Sequence, residues 1–234
     1  MRLKEFLSIR EIEFVSVNVL EDPAGRAELE RLGARSIPVL SRGDAFVFGQ
    51  SLPQIIAFLG LDEAGGPALS TAELHARLDK FLTAALELLP LMPHDRLGIH
   101  VPGRPRSYRA LGFHLFRVVV AFLDAGDGAT LEQASFREEP AADAGTASLV
   151  AYGEDVRRRF RDWWASGDTT ATRVLSTYYG PQSLHELLER TTWHAGQHVR
   201  QWMMLLELEG VDHHRPLVDG DFAKLPMPRD VWDG

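Results

Sequence analysis

The sequence predicts an α+β chain in two parts, a small α/β unit followed by an all-α four-helix bundle. Three observations predict it. β-forming residues concentrate in the first 61 positions, helical apolar periodicity dominates from position 70 onward, and DEAGGPALS at 62–70 has the glycine and proline of a linker. The expected divisions are 1–61, the linker 62–70, the bundle 71–212 and an extended, proline-punctuated tail at 213–234.

The first unit opens on a helical spacing, Leu3, Phe6 and Leu7, with no capping residue before it. Phe14, Val15, Val17 and Val19 are β-formers and predict a strand. Asp22 as N-cap and Pro23 at the first helical position start a helix that runs from Ala24 to Leu32 and stops at Gly33. Ile37 to Leu40 and Ala45 to Phe48 read as a hairpin around SRGD, and Ser51 with Gln54 caps a last helix ending near Leu59.

In the second unit, Leu74, Leu78, Phe81, Ala85 and Leu88 mark a helix that ends before Pro90. A loop follows, holding His94 and His100 among prolines and glycines, where histidines are expected to be solvent-exposed. Ser107 to Asp124 is the second helix. Residues 125–149, rich in Gly, Ala, Asp and Glu, read as a connection without firm structure. Tyr152 to Trp164 is the third helix, with Val156, Phe160, Trp163 and Trp164 for burial, and Arg173 to Tyr178 is a short extended piece. The fourth helix lies between a capping box, Ser183 with Glu186, and a left-handed stop at Gly210. Its inward positions are Leu184, Leu187, Thr191, His194, His198, Gln201, Leu205 and Leu208, apolar at both ends and polar in the middle.

That polar middle carries the chemistry. His194 and His198, four residues apart, point the same way from consecutive turns, a spacing that suits one metal ion. His114 shares a face with Leu111, Leu115, Val118 and Phe122, so a second helix also turns a histidine inward. Three inward histidines from two helices make a facial site that leaves coordination positions open, as a catalytic metal centre requires. Histidine ligation suits zinc, nickel or iron, and spacing does not rank them. DHHRP at 212–216 reads as surface.

Composition sets the bounds. The chain has 234 residues, 45% of them apolar, enough to bury cores. Net charge is -8, and the densest basic cluster, Arg157 to Arg159 with Arg161, alternates with apolar residues as a solvated helix face, so nucleic acid is not an expected partner. The longest apolar run, Leu115 to Leu123, is broken by Arg117, and the N-terminus has no signal-peptide core; a cytoplasmic protein without a membrane partner is expected. With no cysteine, disulfides, thiolate ligands and a cysteine nucleophile are excluded from this sequence.

Two resemblances follow from these residues. The order of elements over 1–61, with SIPV at Ser36 to Val39 and GQS at Gly49 to Ser51, resembles a glutaredoxin or thioredoxin-like domain. The resemblance implies that Pro38 is a cis-proline and that Ile37, Pro38 and Ser51 face a thiol such as glutathione. Leu52 departs from the acidic residue common in that family, and the first strand with its CxxC is missing, so the unit is expected to be an incomplete thioredoxin-like domain without redox chemistry. Met1 is then expected to be an internal methionine of a longer protein, or the domain a decayed one. The missing strand would lie at the centre of the sheet, and direct pairing of its neighbours, a strand from a second subunit in a homodimer, or a loosely folded unit would have to compensate.

Residues 70–212 resemble the DinB-like superfamily, through FHLF around His114, TYYGPQSLHELLER, and TTWHAGQHVRQ with its HxxxH. That resemblance implies that His114, His194 and His198 bind a divalent metal, and that the protein is a metal-dependent transferase activating a low-molecular-weight thiol for an electrophile. Metal-dependent hydrolysis and a non-catalytic, metal-stabilised binding or stress-response module are the alternatives.

Overall fold

The computed structural model describes residues 2–9, 12–62, 66–167, 172–228 and 230–232. The chain divides into two compact units, Met1–Gly66 and Pro67–Gly234.

The first unit contains α1 (Arg2–Ile9), α2 (Pro23–Arg31), the strands β1 (Val39–Arg42) and β2 (Ala45–Phe48), and α3 (Leu52–Leu59). Local signals place these elements. The Asp22 carboxylate accepts from the Ala24 and Gly25 amides at the start of α2, Ser51 caps α3, and Gly60 ends it in the left-handed region. The strands pair antiparallel with Arg42 opposite Ala45, so the turn narrows to Gly43 and Asp44, and Gly43 supplies the positive φ of 60° that a tight turn needs. The Ile37–Pro38 peptide is cis. Leu3, Phe6 and Leu7 of α1 pack with Ile55 and Ile56 of α3 as the core, and Leu40 and Val47 of the hairpin lean on it.

One expected element does not form. The β-forming stretch around Phe14 to Val19 makes no strand, and Phe14, Val15 and Val17 are exposed. β-propensity describes how well a residue fits a paired, half-buried surface, and no neighbouring strand offers this stretch a ladder.

The second unit is built on α4 (Thr71–Leu88), α5 (Tyr108–Gly126), α6 (Thr146–Ser166) and α7 (Leu184–Leu208). Helix α4 packs against α6 and α7, and α5 against the same two, so the four helices enclose one core. Small residues let them approach: a Cβ on Gly153 would lie 2.4 Å from Phe116 Cζ, and one on Gly196 would lie 2.7 Å from Phe81 Cε2. A glycine inside a helix costs about 1 kcal/mol relative to alanine, and here the close crossings explain why it is present. Two strands of two residues, β3 (Val174–Leu175) and β4 (Gln182–Ser183), pair just before α7. Among the described residues no helix is long and apolar enough to cross a membrane.

Four sequence expectations change in this unit. Helix α6 begins at Thr146, six residues before Tyr152, and the connection ahead of it carries a 3-10 turn, Gln133–Phe136, and a bridge from Leu131 to Thr177. The basic cluster is not wholly solvated: Arg157 and Arg161 both grip Asp79 of α4, with contacts of 2.8 to 3.0 Å. Leu208, expected inward, is exposed, because the seam ends with the helix. The segment after residue 212 is anchored rather than free. It contains a short helix, α8 (Asp219–Phe222), whose Asp221 meets Lys80 of α4 at 2.6 Å and whose backbone is bonded by Arg77.

Candidate metal centre

Helix α7 starts where its capping box predicts, with the Ser183 and Glu186 side chains each bonding the other's backbone amide, and Gly210 follows its end with φ 68°. Fixed ends fix the phase. Thr191, His198 and Gln201 are buried on this helix and His194 is half-buried between them. The third histidine comes from α5, where Gly112, two residues before His114, lets that helix lie close: a Cβ there would sit 2.9 Å from Leu89 and 3.2 Å from Trp202 of α7.

The three side chains converge. Each of His114, His194 and His198 offers a ring nitrogen, and these atoms all lie within 4.8 Å of one another. Ring centroids are 4.7 Å apart for His194 and His198, 5.0 Å for His114 and His198, and 5.7 Å for His114 and His194. Among the described residues this is the group of histidine and carboxylate side chains that could hold a metal ion. His94, His100 and His214 are exposed and lie outside it.

Hydrogen bonding fixes the tautomer of His198. Its Nδ1–H donates to Gln201 Oε1 at 2.7 Å, and Gln201 in turn donates through Nε2 to the Val231 carbonyl at 3.1 Å. With the proton on Nδ1, the lone pair of Nε2 is free, and that buried atom has no partner. His194 Nδ1 is likewise buried and unpartnered. His114 is held by a hydrogen bond to the Phe136 backbone. Leaving a buried polar atom unsatisfied costs on the order of 1 to 3 kcal/mol, so two on adjacent rings call for a ligand.

All three rings are neutral. Burial pushes His114 down to about 2, with His198, Arg106 and Arg190 adding to the shift against the Phe136 bond. Burial pushes His198 down to about 4 although the Gln201 bond opposes it, and burial leads the same direction of shift at His194. Neutral imidazoles present lone pairs, the state in which histidine binds metal. The unpartnered nitrogens, the charge state and the second bond that orients His198 therefore all fit a divalent ion held by His114, His194 and His198.

No family model matches the chain, and no curated protein matches it by sequence. Function is read from the site.

Its surroundings include residues the sequence did not single out. Arg106 comes from the loop before α5, Arg190 lies over the rings of Phe136 at 5.3 Å and Tyr179 at 5.4 Å, and Trp232 is brought in by the terminal segment. Gln201 was on the inward face, and its place one turn beyond His198 was the signal for its role; Arg106 and Trp232 carry no local signal. The terminal segment is tied down by Gln197, which donates to the Val231 carbonyl at 2.6 Å, and by Arg200, which donates to the Pro228 carbonyl at 2.9 Å.

Ile37, Pro38 and Ser51, the thiol-facing residues of the glutaredoxin resemblance, lie in the first unit. Gln50 donates to the Ile37 carbonyl at 2.9 Å and the Gly49 amide to that of Pro38 at 2.7 Å, while the buried Ser51 hydroxyl caps α3. Their polar groups are thus engaged internally.

Proposed function

We propose that the second unit is a DinB-like four-helix bundle and that the protein is a metal-dependent transferase delivering a low-molecular-weight thiol, with glutathione as the candidate, to an electrophile. The observation that carries this reading is the convergence of three neutral histidines from two helices, with two buried nitrogens lacking partners. A divalent ion held there would supply the positive charge that ionises a thiol near neutral pH. His114, His194 and His198 would supply three of its ligands and leave further coordination positions for a thiol, and the Gln201 bond at Nδ1 leaves the His198 Nε2 lone pair free for the ion.

The charged neighbours favour thiol transfer over hydrolysis. Hydrolysis needs a general base to take the proton of water, whereas the charged side chains acting on the three imidazoles are Arg106 and Arg190, both cationic. A thiol, with an ordinary pKa of about 8.5, ionises without that help. For the first unit we propose an incomplete thioredoxin-like domain, supported by its order of helices around a hairpin.

The test is thiol consumption. Metal-loaded protein should deplete glutathione or another small thiol in the presence of at least one member of an electrophile panel, and His198→Ala should not. A fully loaded protein that consumes no thiol with any electrophile would contradict the transferase.

A further inference from the structure

A cavity of about 180 Å³ opens beside His198 of the triad, with Gln201, Arg104, Arg106 and Trp232 among its other walls. Liquid water takes about 30 Å³ per molecule, so the space holds roughly six waters, or a small organic acid of three or four carbons.

Arg106 distinguishes this cavity. Other arginines on this unit are engaged: Arg157 and Arg161 with Asp79, Arg117 with Glu138 at 2.9 Å, Arg109 with the Ala144 carbonyl at 2.7 Å, and Arg173 with the Gly126 carbonyl. Arg106 is half-buried, yet among the described residues its guanidinium makes no hydrogen bond and no ion pair. Glu139 acts on it only through its field, and burial works against its charged form. A partly desolvated guanidinium without a partner is costly and offers a planar fork of donors that matches a carboxylate.

The surrounding charge points the same way. Arg104 lines the same cavity, the Arg190 charge acts on His114 and His194, and the three imidazoles bring no negative charge to balance a divalent ion. Trp232 provides an apolar wall and is held in place by donating to Met204 Sδ at 3.1 Å.

We infer that this cavity is a carboxylate subsite, in which Arg106 binds the carboxylate of a small organic acid while the rest of that molecule faces the histidines. The inference deepens the proposed function, on which it rests for the identity of the reacting partner: the thiol or the electrophile carries a carboxylate.

Binding of propionate and its neutral isostere propionamide to the protein as purified, followed by ligand-observed NMR, tests the subsite without any turnover. Propionate should bind about tenfold or more tightly than propionamide. Arg106→Gln should abolish that preference, Arg106→Lys should keep part of it, and Arg158→Gln on the outer face of α6 should leave it intact. Equal binding of the two probes, or a preference that survives Arg106→Gln, would overturn the subsite. Comparing carboxylated and uncharged thiols, then carboxylated and uncharged electrophiles, in the consumption assay assigns the carboxylate to one reactant. A carboxylate preference without thiol consumption would sink the transferase and leave the subsite standing; thiol consumption without the preference would do the reverse.

Discussion

The two units of this chain differ in how their helices are held. In residues 67–234 each of α4, α5, α6 and α7 buries several large side chains, among them Phe81, Phe116, Phe160 and Trp202 at no more than 1% exposure. Residues 1–66 rest on Leu3, Phe6, Leu7, Ile55 and Ile56, while α2 buries nothing and the hairpin stands as a sheet of two strands. A buried Leu or Phe contributes about 1.5 to 3 kcal/mol relative to an exposed one, and a two-stranded hairpin alone is marginal in water. Helices complete their hydrogen bonds within themselves and need only a face to bury; a strand needs a neighbour. The Phe14 to Val19 stretch has strand residues without a neighbour, and it stays exposed.

The largest effect should come from the core of the second unit. Phe160 is fully buried against Phe122, Trp163 and His75, so Phe160→Ala should cost about 3 to 5 kcal/mol, read as lost amide protection across 67–234. Acid should separate the units next. His114 and His198 are neutral when folded, whereas the unfolded chain protonates both below about 6.5, so metal-stripped protein is most stable above that pH. Each of the two costs about 1.4 kcal/mol per pH unit as pH falls from 6.5 toward their folded values of about 2 and about 4. Two imidazoles therefore make about 2.7 kcal/mol at pH 5.5, and His75, also lowered by burial, acts in the same direction. Residues 1–66 contain no histidine and should not respond in that window. Amide protection that falls equally in both units between pH 6.5 and 5.5 would break the distinction.

Most of the second unit was legible in the sequence because its signals are local. The Ser183–Glu186 box, Gly210 and the polar middle of an apolar seam fixed α7 and turned His194 and His198 the same way; the face of α5 did so for His114. The start of α6 was missed because Gly145 caps it without a side-chain hydrogen bond, leaving no capping residue to read. Arg106, Phe136 and Trp232 reach the site only because loops and the terminal segment fold onto α5 and α7, and spacing along the chain does not record that.

Smaller perturbations sharpen the contrast. Gln201→Leu removes the acceptor that orients His198 and should lower metal affinity by about 10- to 100-fold, measured by competition with a chelator, and by leaving the buried His198 Nδ1–H unpaired it should also cost the apo-protein about 1 to 3 kcal/mol. Asp22→Ala deletes the cap of α2 and should cost about 1 kcal/mol. In residues 1–66 that is a larger share of a smaller stability, and those amides should exchange faster than the bundle's even before the substitution. Equal or greater protection of 1–61 than of the bundle would contradict this ranking.

The central claim is that three histidines from two helices hold one divalent ion. Elemental analysis after loading with zinc, nickel or iron and removal of free metal tests it most directly. The account predicts one ion per chain in the native sequence and background content in His198→Ala, with the melting temperature falling together with the metal because an ion bound only by the folded state stabilises it. Stoichiometric metal that persists in His198→Ala, or a folded native chain that takes up none of the three ions, would contradict it.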